Sequence, residues 1–101
     1  MQAADMFVEN KLRRNAVTLF VKAGCPYCQN AQELLQRYTS SFGTPDVIRI
    51  DGKEEVQACL QRRTGQRTVP YVFFGKDYIG GSSELQDICS KLPRSGGRLV
   101  P

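Results

Sequence analysis

The sequence AVTLFVKAGCPYC, residues Ala16–Cys28, joins a short apolar run to the start of a long amphipathic pattern. The apolar run, Val17–Val21, is rich in β-branched and aromatic residues, which is typical of a strand buried on both faces of a sheet. From Pro26 onward, apolar residues recur every three or four positions as far as Phe42, which predicts a long helix whose end and following loop occupy Thr39–Pro45. Proline suits the first helical turn because its missing N–H is not needed there. A C-x-x-C pair therefore lies where a strand meets a helix.

The remaining patterns predict one α/β domain over residues 1–101, with a frayed tail over 93–101. Further helices are predicted over residues 3–14 and 53–63, and a last helix is predicted with Ser82 or Ser83 as its N-cap. Further strands are predicted over 47–50, 71–74 and 77–79. A helix separates the first two strands, so they are expected to be parallel, whereas Gly75-Lys76 predicts a hairpin between the last two. One mixed sheet with helices on both faces is the expected architecture.

Composition narrows the function classes. Hydrophobic residues make up 41% and charged residues 24% of the chain, and the net charge is +4. The basic residues are dispersed among acids, which disfavours nucleic-acid binding and favours a small anionic substrate. The sequence contains neither a membrane-spanning apolar run nor the features of a signal peptide, so a cytoplasmic protein without membrane contact is expected.

The C-x-x-C pair has a redox interpretation and a metal-binding alternative. The alternative needs further ligands, but the chain lacks histidine and its other cysteines, Cys59 and Cys89, occur singly on apolar helix faces. Cys25 precedes the exposed N–H groups of a helix, which stabilise a thiolate, so we expect it to be the nucleophile with a pKa below the ordinary value of about 8.5. Lys22 can add positive charge nearby. Cys28 lies one turn inside the helix and is expected to be the less accessible, resolving thiol.

Two further stretches could bind a substrate. In Gly65–Pro70, proline restrains Val69 to an extended conformation, so the backbone of that residue could pair with a peptide-like substrate. An ordinary loop with a strand-initiating proline is the alternative. In Gly80–Glu84, two glycines before a helix allow a tight turn with free N–H groups, where a carboxylate could bind. The final helix is expected to bring the two stretches together.

These residues resemble the dithiol glutaredoxins (thioltransferases) over residues 7–92. The shared motifs are C-P-Y-C at Cys25–Cys28, T-V-P at Thr68–Pro70 and G-G-S-S-E-L at Gly80–Leu85. The resemblance implies a thioredoxin fold, that is, a four-stranded mixed sheet flanked by helices on both faces, with an added N-terminal helix. It also implies a cis peptide bond before Pro70 and glutathione as co-substrate, without a tightly bound cofactor or metal.

The same resemblance implies a glutathione groove beside the first cysteine. Its expected members are Lys22, Tyr27, Gln57, Arg67, Thr68, Val69, Pro70, Gly81, Ser82, Ser83 and Glu84. Lys22 and Arg67 would face the glycine carboxylate, and the turn and helix start would hold the γ-glutamyl end. The family commonly has aspartate where this chain has Glu84.

The implied function is that of a monomeric, glutathione-dependent disulfide oxidoreductase. Cys25 alone would reduce protein–glutathione mixed disulfides, and Cys25 with Cys28 would reduce protein disulfides. One alternative is a dimeric carrier of an iron–sulfur cluster ligated by glutathione, which Pro26 disfavours because relatives with serine or glycine there are the usual cluster binders. Another is a redox-inert interaction domain, in which Cys25 would resist alkylation.

Overall fold

A computed structural model describes residues 2–92 of the chain, so the tail predicted over 93–101 lies outside the described residues. Within that range the elements alternate as the sequence patterns predict. In chain order they are α1 (Ala3–Lys11), β1 (Val17–Val21), α2 (Pro26–Arg37), α3 (Thr39–Phe42), β2 (Asp46–Arg49), α4 (Glu54–Thr64), β3 (Tyr71–Phe74), β4 (Asp77–Gly80) and α5 (Ser82–Cys89). None of these helices is both long and apolar enough to cross a membrane.

The strands form one four-stranded sheet in the order β2-β1-β3-β4. Strand β1 pairs in parallel with β2 and antiparallel with β3, and β3 pairs antiparallel with β4. The mixed sheet and the closing hairpin are therefore confirmed. Because β1 is central, its C-terminal end carries the following C-x-x-C pair to the middle of one sheet edge.

Helices cover both faces of the sheet, and β1 contributes side chains to both. Phe20 belongs to a core cluster with residues of α1 and α4, whereas Val17, Leu19 and Val21 belong to a cluster with residues of α2 and α5. The alternation of side chains along a strand produces this division. The continuous apolar run thus correctly predicted a strand buried on both faces.

The segment Thr39–Pro45, predicted to hold the end of the helix and a loop, begins with a separate short helix, α3. Tyr38 has φ −125° and ψ 31°, so the backbone leaves α2 at this residue before a further turn forms. The ring of Phe42 packs edge-on against that of Phe74, with centroids 5.9 Å apart. This aromatic contact accompanies the extra turn and explains why the apolar periodicity continues beyond the end of α2.

Candidate active site

Cys25 is the N-cap residue of α2. Its sulfur accepts a hydrogen bond from the backbone N–H of Cys28 at 3.1 Å, and its carbonyl accepts one from Gln29. The structure contains the Cys25–Cys28 disulfide, with the two Cα atoms 5.2 Å apart. The first sulfur therefore lies where helix N–H groups and the positive end of the helix dipole converge, an environment that favours a thiolate after reduction.

The two cysteines differ in accessibility as their helix positions predict. Cys25 is partly exposed, whereas Cys28 is 1% exposed and packs against the cluster under α2. Between them, Tyr27 is 66% exposed. An incoming disulfide can therefore reach the first sulfur but not the second, and the tyrosine ring is available to contact the incoming molecule.

The peptide bond between Val69 and Pro70 is cis, as the resemblance implied. The carbonyl oxygen of Val69 lies 4.0 Å from the sulfur of Cys25. Pro70 is buried and Val69 is partly buried, contacting both core clusters. The T-V-P motif is thus a fixed backbone segment beside the first cysteine.

The two predicted substrate stretches meet at this point. A Cβ placed on Gly81 would lie 3.5 Å from the carbonyl oxygen of Pro70, so their backbones approach closely. Between them is a cleft of about 200 Å³, lined by Tyr27, Gln66, Thr68, Val69, Pro70, Gly81, Ser82, Ser83 and Glu84. Eight of these nine lining residues belong to the groove that the sequence predicted.

The serine cap predicted for α5 is wrong, because the N-cap residue is Gly81. The carboxylate of Glu84 accepts a hydrogen bond from the Gly81 N–H at 2.8 Å, which satisfies one of the N–H groups expected to be free. Ser82 begins the helix and is 7% exposed, and its buried hydroxyl has no hydrogen-bond partner among the described residues. This hydroxyl and the remaining N–H groups at the start of α5 are hydrogen-bond donors that an anionic ligand can use.

Three predicted groove residues, Lys22, Gln57 and Arg67, do not line the cleft. The side-chain amide of Gln57 donates to the carbonyl of Arg67 at 3.1 Å, so it supports the loop before the T-V-P motif. Gln66 lines the cleft; it lies in the predicted substrate stretch Gly65–Pro70 but was not among the groove residues that the resemblance implied. Its carbonyl accepts a hydrogen bond from the Tyr71 hydroxyl, a contact for which the sequence offers no signal.

A dithiol at a helix N-terminus, next to a cis-proline at the start of a strand, defines the chain as a thiol–disulfide oxidoreductase. The family model for glutaredoxin matches residues 17–79. A glutaredoxin-1 from Gallus gallus is 51% identical over 99 residues, which cover 95% of this chain and 98% of the relative. The chain belongs to the glutaredoxin family.

Solved structures agree with this assignment. A wheat glutaredoxin superimposes with a TM-score of 0.75 at 28% identity, covering 87% of this chain and 83% of that one. A buckwheat glutaredoxin–glutathione complex superimposes with a TM-score of 0.69 at 25% identity, covering 89% and 93%. The chain thus has the thioredoxin fold, with helices on both faces of its sheet as expected.

Proposed function

We propose that this glutaredoxin uses glutathione to reduce disulfides, with Cys25 as nucleophile and the cleft beside it as the glutathione site. The observation that carries the proposal is the position of the Cys25 sulfur at the N-cap of α2, 4.0 Å from the carbonyl of Val69 on the cleft wall. A sulfur held there can be attacked, or can attack, while a substrate backbone pairs alongside it. The glutathione complex of the buckwheat relative supports the choice of ligand.

The chemistry of the cleft suits a short anionic peptide. Val69 presents extended backbone on one side, where the cysteine residue of glutathione can pair. The start of α5 offers N–H groups and the buried hydroxyl of Ser82 on the other side, where the γ-glutamyl carboxylate can bind. Lys22 and Arg67 are not among the residues that line the cleft. We expect their positive charges to attract the glycine carboxylate of glutathione.

The proposed reaction proceeds in two exchanges. The Cys25 thiolate attacks the glutathione sulfur of a mixed disulfide; the new S–S bond forms as the old one breaks, and the protein thiolate leaves and takes up a proton. A glutathione thiolate then attacks the Cys25–glutathione disulfide, which releases oxidised glutathione and regenerates the Cys25 thiolate. With a protein disulfide, the Cys25 thiolate attacks one sulfur to form a Cys25–protein mixed disulfide, and one protein thiolate leaves. The Cys28 thiolate then attacks the Cys25 sulfur, the Cys25–Cys28 bond forms as the mixed disulfide breaks, and the second protein thiolate leaves and takes up a proton. Two glutathione thiolates in succession reopen the Cys25–Cys28 bond and leave as oxidised glutathione.

This mechanism predicts different results for the two cysteines. Cys28→Ser should retain glutathione-dependent turnover of a glutathionylated small disulfide, since Cys25 alone completes that cycle. Cys25→Ser should abolish the turnover. The measurement is steady-state turnover with glutathione as reductant, run in parallel with thioredoxin reductase as a competing reductant.

Mass spectrometry after brief alkylation of the reduced protein near neutral pH is the control. Cys25 should be modified first, whereas Cys59 and Cys89, at 0% and 1% exposure, should be protected. Equal loss of turnover in both variants would contradict the assigned roles. Preferential turnover with thioredoxin reductase would contradict glutathione as the reductant.

A further inference from the structure

Asp51 connects the end of β2 to the loop that carries the first cysteine. One carboxylate oxygen accepts a hydrogen bond from the backbone N–H of Ala23 at 2.8 Å. The other accepts one from the Nε of Arg49 at 2.7 Å. Ala23 lies two residues before Cys25, in the three-residue loop between β1 and the N-cap of α2. The carboxylate therefore bonds directly to the backbone of the active-site loop, 28 residues away in sequence.

The loop has few other means of holding its shape. Gly24 is exposed and adopts φ +69°, and the space where a Cβ would lie is open, with no atom within 4 Å. At its start, the carbonyl of Val21 accepts a hydrogen bond from the N–H of Ile50. The hydrogen bond from Ala23 to Asp51 adds a second contact between these two stretches of chain, two residues closer to Cys25.

We propose that Asp51 is a positioning residue for the redox reaction: it fixes the Lys22–Gly24 loop, and Arg49 orients its carboxylate. The part of this proposal that concerns turnover rests on the proposed function. The loop leads into Cys25, the proposed nucleophile, and carries Lys22, an expected glutathione contact. Freeing the Ala23 amide lets the loop sample other conformations, and the first cysteine then meets the substrate sulfur less often in an attacking geometry.

Electrostatics keep this contact in place under working conditions. The Arg49 guanidinium, followed by the Ala23 N–H, lowers the pKa of the Asp51 carboxyl from its ordinary 3.8 to about 2. Asp51 is therefore a carboxylate throughout the neutral range, with both oxygens engaged.

The test compares Asp51→Ala, which removes both bonds, with Asp51→Asn, whose amide oxygen can still accept from Ala23 but which loses the charge. Asp46→Ala is the matched control, because Asp46 also forms an ion pair of 2.7 Å with an arginine, at the other end of β2. The measurements are hydrogen exchange of the Ala23 amide by NMR, the pH profile of Cys25 alkylation, and glutathione-dependent turnover.

For Asp51→Ala we expect about tenfold faster exchange of the Ala23 amide and about tenfold lower kcat/KM, with Asp51→Asn within roughly threefold of the parent protein. Asp46→Ala should leave all three measurements at parental values. Equal impairment in the Asn and Ala variants would overturn the proposal, since only the charge would then matter, and so would an unchanged exchange rate in Asp51→Ala. Exchange and alkylation do not require glutathione, so a failure of the proposed function would leave this test intact.

Discussion

Gly80 lies where the last strand ends and the helix beside the cleft is about to begin. It has φ +140°, a conformation open to glycine and strained for other residues. A Cβ built there would also lie 2.6 Å from both Cβ and Cγ of Glu84, whose carboxylate caps Gly81. The cleft thus depends on the absence of a side chain at one glycine as much as on any group that is present.

Replacing this glycine tests that dependence. Gly80→Ala should lose about 2–4 kcal/mol of unfolding free energy, because a strained backbone conformation is combined with overpacking against Glu84. Gly75→Ala is the control, since Gly75 has φ +62° but the nearest atom to its Cβ is 3.9 Å away. Urea denaturation provides the measurement. Equal losses in the two variants would show that the contact with Glu84 adds nothing to the backbone strain.

At the scale of elements, α1 docks on α4 through more than apolar packing. Ala4, Val8 and Leu12 share a core cluster with residues of α4. In addition, the buried thiol of Cys59 donates a hydrogen bond to the carboxylate of Asp5 at 2.9 Å. Burial, followed by this hydrogen bond, raises the pKa of the thiol, so it stays protonated and able to donate at neutral pH. The added N-terminal helix is thus joined to the fold by a polar contact within an apolar interface.

This contact predicts a pH-dependent contribution to stability. The Cys59 hydrogen bond is the main cause that lowers the pKa of Asp5 below its ordinary 3.8. A carboxyl with a depressed folded pKa stabilises the protein above its unfolded pKa, and that contribution is lost as the pH falls through the folded value. Cys59→Ala should therefore make the acid-side decline in stability shallower than in the parent protein.

Cys89→Ala provides the matched control for the cavity that each alanine leaves. Cys89 is 1% exposed, and burial alone raises its pKa, without a carboxylate contribution. Urea denaturation between about pH 3 and 7 should give a curve parallel to that of the parent protein for Cys89→Ala but not for Cys59→Ala. Parallel curves for both variants would show that the bond to Asp5 contributes nothing to folding.

In the molecule as a whole, local patterns predicted every element but α3, because each of the others shows its own period in the sequence. The groove was predicted through family motifs, and the structure brings T-V-P and G-G-S-S together as expected. Two individual side-chain contacts between distant residues, outside these motifs, were not predictable. The bond from Asp51 to Ala23 spans 28 residues and that from Cys59 to Asp5 spans 54, and no local pattern marks either pair. The glycine cap of α5 was missed because glycine has no side chain that marks a helix start, and the Gly81 N–H instead donates to the carboxylate of Glu84.

Glu9 joins three separate parts of the fold. From α1, its carboxylate forms ion pairs with Arg63 of α4 and with Lys76 in the turn between β3 and β4. The hydrogen bond from Lys76, followed by that from Arg63, lowers the pKa of Glu9 below its ordinary 4.5. Its carboxylate is 29% exposed, so solvent weakens each pair, but the two pairs share one ordered side chain.

Glu9→Gln should therefore cost about 1 kcal/mol of unfolding free energy at pH 7. The parent protein should lose this stabilisation as the pH falls through the depressed pKa of Glu9. The unfolding free energies of the parent and of Glu9→Gln should therefore converge in acid. Glu33→Gln, which removes the same charge from an exposed position on α2, should leave stability near the parental value. Alkylation of Cys25 should be unchanged in both variants, because neither residue lines the cleft. A Glu9→Gln curve that stays parallel to the parent curve at every pH would show that the lost stability comes from packing and not from the two ion pairs.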